Sequence, residues 1–158
     1  MFYQHVNTIF GDCNSFQRVP SLGGVEMIGK YLKGKEEYFY FVFRVLIGFL
    51  FFQHGAQKLF GLFGGKPVAL FSLMGLAGVI EFFGGIAIAL GLFTRLVALF
   101  TGIEMVFAYL TVHASHGWMP IVNKGELALL YLSGFLMLIA FGAKKWSLER
   151  ALFKKESF

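Results

Sequence analysis

The chain is 158 residues long, about the size of one domain, and is 57% hydrophobic but only 15% charged. With a mean hydropathy of +0.68, it falls outside the ordinary water-soluble class, which carries roughly 25% charged residues. The net charge of +5 does not point to nucleic acid, because the basic residues stand in short clusters beside apolar runs, where anionic lipid headgroups are the simpler partner. Cys13 is the single cysteine, which excludes an internal disulfide, a CxxC relay and a cysteine-held iron–sulfur cluster.

Met1 to Tyr38 carries Asp12, Arg18, Pro20, Glu26 and Lys30 before any long apolar stretch, a pattern unlike a cleavable signal, so the first span is expected to direct insertion. Within this segment Val25, Ile28, Tyr31 and Leu32 share one helical face opposite Glu26, Lys30 and Lys33. That spacing predicts an amphipathic helix lying at the interface, on a flank whose charges also fit the ordinary cytoplasmic excess. Four apolar stretches follow, Tyr38 to Phe60, Val68 to Phe93, Leu96 to Val112 and Leu127 to Ala143. About 20 residues cross a hydrocarbon core, so each is read as a transmembrane helix, the shorter ones with tilt or local thinning. Gly61, Gly64, Gly65 and Pro67 break the first pair, Thr94 and Arg95 the second, and the segment from His113 to Gly125 the third.

Short connections favour antiparallel neighbours, so the expected fold is all-α, an integral membrane four-helix up-down-up-down bundle. Ten lysines and arginines lie in the N-terminal segment, the Thr94–Arg95 turn and the tail, against Lys58, Lys66 and Lys124 on the opposite side. The positive-inside rule then predicts both termini in the cytoplasm and a multi-pass protein of the inner or plasma membrane. The organisation expected is a cytoplasmic extension over 1–36, a transmembrane domain over 37–143 and a basic tail over 144–158. In the tail Ser147 is placed to cap a short helix from Leu148 to Lys155, with Leu148, Leu152 and Phe153 towards lipid.

Charges inside hydrocarbon cost about 2.5 to 3.5 kcal/mol each on insertion scales, so each needs a partner or a task. Arg44, Glu81 and Glu104 lie within the first three spans, and an inward-pointing arginine is expected to join the two carboxylates in one buried pocket. Gly78, Glu81, Gly85 and Ala89 share a narrow face, as do Thr101, Glu104, Ala108 and Thr111, which suits close helix approach. One guanidinium neutralises one carboxylate, so the other glutamate is expected to hold a proton, either to carry it or to hydrogen-bond a quinone. His54, Gln57, Lys58 and Glu126 are expected to form an outer rim. His54, His113 and His116 would suit a metal or haem, but the loop supplies no acidic or thiolate ligand set, and no metal is assigned. The opposing structural reading is that ion pairs fix helix register and that Lys58 reaches the interface.

With Arg44 ahead of the motif His54-Gly55-Ala56-Gln57-Lys58 and with Glu81 ahead of Gly84-Gly85, the chain resembles the DoxX family of small four-helix membrane proteins. The resemblance runs from about Tyr40 to Leu152 and rests on Arg44 ahead of the segment His54-Gly55-Ala56-Gln57-Lys58-Leu59-Phe60-Gly61, followed by Val79-Ile80-Glu81-Phe82-Phe83-Gly84-Gly85. It continues through Gly91-Leu92-Phe93-Thr94-Arg95, Asn123-Lys124-Gly125-Glu126-Leu127-Ala128 and the stretch from Gly142 to Leu148. Many relatives carry an aspartate where this chain has Glu149. The resemblance implies association with redox enzymes, relatives including a subunit of a thiosulfate:quinone oxidoreductase and partners in oxidative-stress complexes. A membrane subunit or partner of a quinone-linked redox system is therefore expected, with no cofactor evident in the residues themselves, quinone as the class the resemblance allows, and a soluble or membrane redox protein as partner. If the chain takes part in catalysis, it is as a subunit of such an oxidoreductase rather than as a stand-alone enzyme. The rival expectation is a non-enzymatic small-solute transporter or a membrane assembly module.

Overall fold

The computed structural model describes residues 23–154, which are helical and connected by short turns, with no strand among them. The chain divides into two units, Met1–Glu36 and Glu37–Phe158. In the first, helix α1 (Gly23–Leu32) exposes Met27, Ile28 and Tyr31, and Lys35 lies over the Tyr31 ring at 3.4 Å. The side chains of Val25 and Glu26, like Cys13, lie outside the described residues.

The second unit is built from α2 (Glu36–Phe60), α3 (Leu73–Leu90), α4 (Thr94–Ala108), the short α5 (Pro120–Asn123), α6 (Glu126–Phe141) and α7 (Leu148–Phe153). Among the described residues three helical stretches are long and apolar enough to cross a membrane, Glu36–Phe60, Leu73–Leu90 and Thr94–His116. The fourth apolar helix, α6, has 16 residues. The expected second span begins too early: Val68 to Phe71 are not helical, and α3 starts where the Ser72 side chain accepts a bond from the Gly75 amide. An N-cap of this kind satisfies one of the amides a helix start leaves open.

Close packing of α2 on α3 follows from the absence of side chains. A Cβ on Gly48 would strike the Ala89 and Gly85 backbone, and one on Gly55 would strike the backbone of Phe82. This is the small-residue contact by which helices associate in lipid, where no hydrophobic force drives them together. The Gly78, Glu81, Gly85 and Ala89 face is thus the one that meets α2. Gly84 meets Thr101 and Val97 of α4, α4 packs along α6, and Gly134 of α6 meets Ile47 and Phe43 of α2. The aromatic centre lies between α2 and α6, where Phe51 stands 4.9 Å from Phe135 and 5.2 Å from Tyr131 by ring centroids. Outward faces are apolar, with Val42, Leu46, Phe49, Phe83, Phe100 and Leu130 exposed, as a hydrocarbon solvent allows.

The third span changes character near its end. After Ala108 the helix widens into a π-turn, Tyr109–His113, followed by a 3₁₀ turn, Ala114–His116. The wider turn shifts the register, so Thr111, expected on the inner face, is exposed, while Tyr109 is buried and His113 turns inward. The following loop is knitted to it. Tyr109 Oη donates to the Trp118 carbonyl at 2.7 Å, Asn123 Nδ2 to the Gly117 carbonyl at 2.7 Å, and the Gly125 amide to Asn123 Oδ1 at 2.8 Å.

Candidate functional site

The charged groups separate into two sets at opposite ends of the second unit, here called the Gly61 end and the Gly91 end. Arg44 does not join Glu81 and Glu104. Its guanidinium donates to the Ile88 carbonyl at 2.9 Å, to Ala89 at 3.3 Å and to the Trp146 carbonyl. Ile88 lies seven residues beyond Glu81, roughly 10 Å along the helix at 1.5 Å per residue. The expected three-residue pocket is therefore divided: the long stem carries the cation to the C-terminal, negative end of α3, where the last-turn carbonyls of Ile88 and Ala89 receive it.

Glu149 completes the Gly91 end. It is fully buried, and its Oε2 accepts from the Phe93 amide at 3.0 Å, at the positive start of α4. A cation thus caps the end of α3 and an anion the start of α4. Between them Gly91 takes a left-handed φ of 71°, and a Cβ there would meet the Arg44 guanidinium and Ser147. Ser147 caps α7 through the Arg150 amide, and Tyr40 Oη donates to the Gly142 carbonyl at 2.5 Å. The tail helix ends at Phe153, with Leu152 and Phe153 exposed as expected; Lys155 lies outside the described residues. Glu149 was missed as a site residue by sequence reasoning, although a buried Arg44 at this depth calls for a nearby acid.

At the Gly61 end Lys58, expected on the rim, reaches inward. Gly55 lies against Glu81 and Phe82 and Gly78 against Lys58, so the lysine stands one turn above the glutamate and folds back to it. Lys58 Nζ donates to Glu81 Oε1 at 2.5 Å. Glu81 is 3% exposed, and its Oε2 has no hydrogen-bond partner. Both carboxylate oxygens of Glu104 are also buried without a partner, and Glu104 lies within electrostatic reach of Glu81 and Lys58. Thr101 gives no help, because its hydroxyl donates to Val97 and Ala98 of its own helix. Two carboxylates share one ammonium.

A cavity of about 170 Å³ opens beside this pair. Phe51, His54 and Lys58 of α2, Glu81 of α3, Met105, Ala108 and His113 from the third span, and Lys124, Leu127, Ala128 and Tyr131 around α6 form its wall. His54 sets its ring edge-on to Tyr131 at 5.8 Å, and His113 Nδ1 lies 3.0 Å from the Asn123 carbonyl. The volume is close to that of an engineered cavity that admits benzene, so the space fits a single six-membered ring. Sequence reasoning had His54 and Lys58 here, but missed Tyr131 and Lys124 and placed His113 in a loop. The π-turn that turns His113 inward has no motif in the sequence.

The other rim residues stand apart from this cavity. Gln57 is half-buried with its side chain against Gly65, and Glu126 is exposed on the first turn of α6. His116 is exposed and bonded to the Val112 carbonyl at 3.0 Å, so His54, His113 and His116 do not converge. Among the described residues no three histidine, cysteine or acidic side chains are grouped to hold a metal ion.

A sequence model of the DoxX family matches residues 39–114. An uncharacterized protein of Haemophilus influenzae is 38% identical over 125 residues, covering 75% of this chain and 93% of that protein. A Bacillus subtilis protein named "Putative oxidoreductase CatD" is 29% identical over 118 residues, covering 70% of this chain and 84% of its own length. No solved structure matches.

Proposed function

The chain belongs to the DoxX family, and from that premise we propose that it is a membrane subunit or partner of a quinone-linked redox system, with the quinone headgroup seated in the cavity at the Gly61 end. In this reading α2, α3, the third span and α6 form a four-helix up-down-up-down bundle in the plasma membrane. Both termini are cytoplasmic, the Gly61 end faces outward, and the basic N-terminal segment and tail dock a soluble redox partner. The observation that carries it is the ring-sized cavity lined by the partly buried Lys58–Glu81 pair, with Phe51, Met105 and Tyr131 as its apolar wall. Few pockets inside a helical membrane protein combine an apolar wall with convergent polar groups unless they receive a ligand. The oxidoreductase name of the Bacillus subtilis relative supports the same direction.

Each group has a task in this reading. Lys58 donates to a ring oxygen, Glu81 and Glu104 accept and pass on protons, and His54 and His113 connect them to the mouth. A second reading, a carrier of a small anionic solute, draws on Lys58, Lys124, His54 and His113 lining the same space. Gentle purification from native membranes, with extraction of bound quinone and identification of co-purifying proteins, separates them. The redox reading predicts near-stoichiometric quinone and a redox enzyme; absence of both would overturn it and leave the solute reading.

A further inference from the structure

The connection from the third span to α6 is built inside out. Trp118, Met119, Ile121 and Val122 are 67–73% exposed, whereas Tyr109 and Asn123 are buried. From Met105 to Asn123 the chain has no aspartate, glutamate, lysine or arginine. The backbone is closed on itself. Each carbonyl from Gly117 to Pro120 accepts a bond: Gly117 from Asn123 Nδ2, Trp118 from Tyr109 Oη, Met119 from the Val122 and Asn123 amides, and Pro120 from the Gly125 amide. Water would solvate those carbonyls and penalise the four apolar side chains. A bilayer does the reverse, since backbone groups there must be bonded within the protein and apolar side chains meet an apolar solvent.

We infer that residues 117–123 form an interfacial anchor, whose apolar side chains enter the boundary between lipid headgroups and acyl chains at the Gly61 end. The inference rests on the transmembrane-bundle reading above and is independent of the quinone. Helix lengths place the loop at that depth. The third span, Thr94–His116, has 23 residues, roughly 34 Å at 1.5 Å per residue, and so exceeds a hydrocarbon core of about 30 Å. Helix α6 has 16 residues, roughly 24 Å, and falls short of it. The chain between them therefore steps down through the boundary, the depth at which tryptophan is enriched in membrane proteins. The α2–α3 connection at the same end also turns Phe63 and Phe71 outward. A protein partner could cover the same side chains, but it could also bond the loop's carbonyls; only lipid requires them to be closed internally. Lys124, the next residue, lines the cavity, so the anchor sets the depth of that wall of the site.

The test uses the full-length protein in phosphatidylcholine nanodiscs with Trp146→Phe, which leaves Trp118 as the single tryptophan. Its fluorescence is quenched either from the membrane, by lipid carrying bromine on the upper acyl chain, or from water, by iodide. The inference predicts a loss at least about twofold greater with the brominated lipid, since interfacial side chains are buried roughly 5–10 Å into the boundary. A smaller excess, or a greater loss with iodide, in protein that has entered the nanodiscs overturns the inference and leaves the bundle reading standing. Protection from both quenchers overturns it too and assigns the loop to a protein partner or a second copy. Protein that does not enter the nanodiscs overturns both readings. Where Trp146→Phe does not fold, the difference between the unaltered protein and Trp118→Phe gives the same comparison.

Discussion

The two ends of the second unit treat buried charge in opposite ways. At the Gly91 end, Arg44 meets the carbonyls of Ile88, Ala89 and Trp146, and Glu149 meets the Phe93 amide, so charge sits on helix termini of opposite polarity. At the Gly61 end one ammonium faces two carboxylates, three buried carboxylate oxygens lack a donor, and a cavity is lined by Lys58 and Glu81. The lesson is that depth in the membrane alone does not mark a functional charge. The Gly91 end ties α2, the α3–α4 turn and the tail together; the Gly61 end, with its adjoining cavity, is where a ligand or a proton gains most by binding.

This contrast can be broken by substitution. The largest effect is expected for Arg44→Leu, which strips the α3 terminus of its cation and leaves Glu149 buried, at a cost of about 3–5 kcal/mol. Thermal unfolding in detergent should show it as a large fall in Tm, and an unchanged Tm would dissolve the structural role assigned to this end. Gly91→Ala comes next, at about 2 kcal/mol, since a left-handed φ already costs an alanine about 1–2 kcal/mol and the new methyl also meets the guanidinium. Glu104→Gln should change stability by no more than about 1 kcal/mol, because it removes a buried carboxylate that has no bonded partner to strand. A loss comparable to that of Arg44→Leu would mean that Glu104 is held as firmly as the other end. Glu126→Gln, on an exposed side chain away from the cavity, should leave both Tm and bound quinone unaltered.

Much of the helical architecture was legible because hydropathy and glycine breaks are local. The apolar stretches lie within a few residues of the observed helices at most ends, and the Gly78, Glu81, Gly85 and Ala89 face was correctly placed at a helix contact. The pairing of charges was less legible. Sequence spacing sets a residue's height on its own helix but not which way a long stem bends, and here Arg44 extends towards a helix end while Lys58 folds inward, the reverse of what was expected of both. Glu149 was hidden in a tail read as a basic flank. His113 and Thr111 exchanged places because a π-turn inserts an extra residue into the helical period, and no residue pattern announces it.

The central claim is that the Lys58–Glu81 pair makes the cavity a quinone-headgroup site. The double substitution Lys58→Met with Glu81→Gln removes both charges together and so avoids stranding either one. Quinone extracted per mole of folded, purified protein is the direct measurement. The account predicts a wild-type helical signal with bound quinone reduced to less than about a tenth, the loss expected when about 1.4 kcal/mol or more of headgroup binding is removed. Quinone retained at the wild-type ratio in the folded double variant would contradict it.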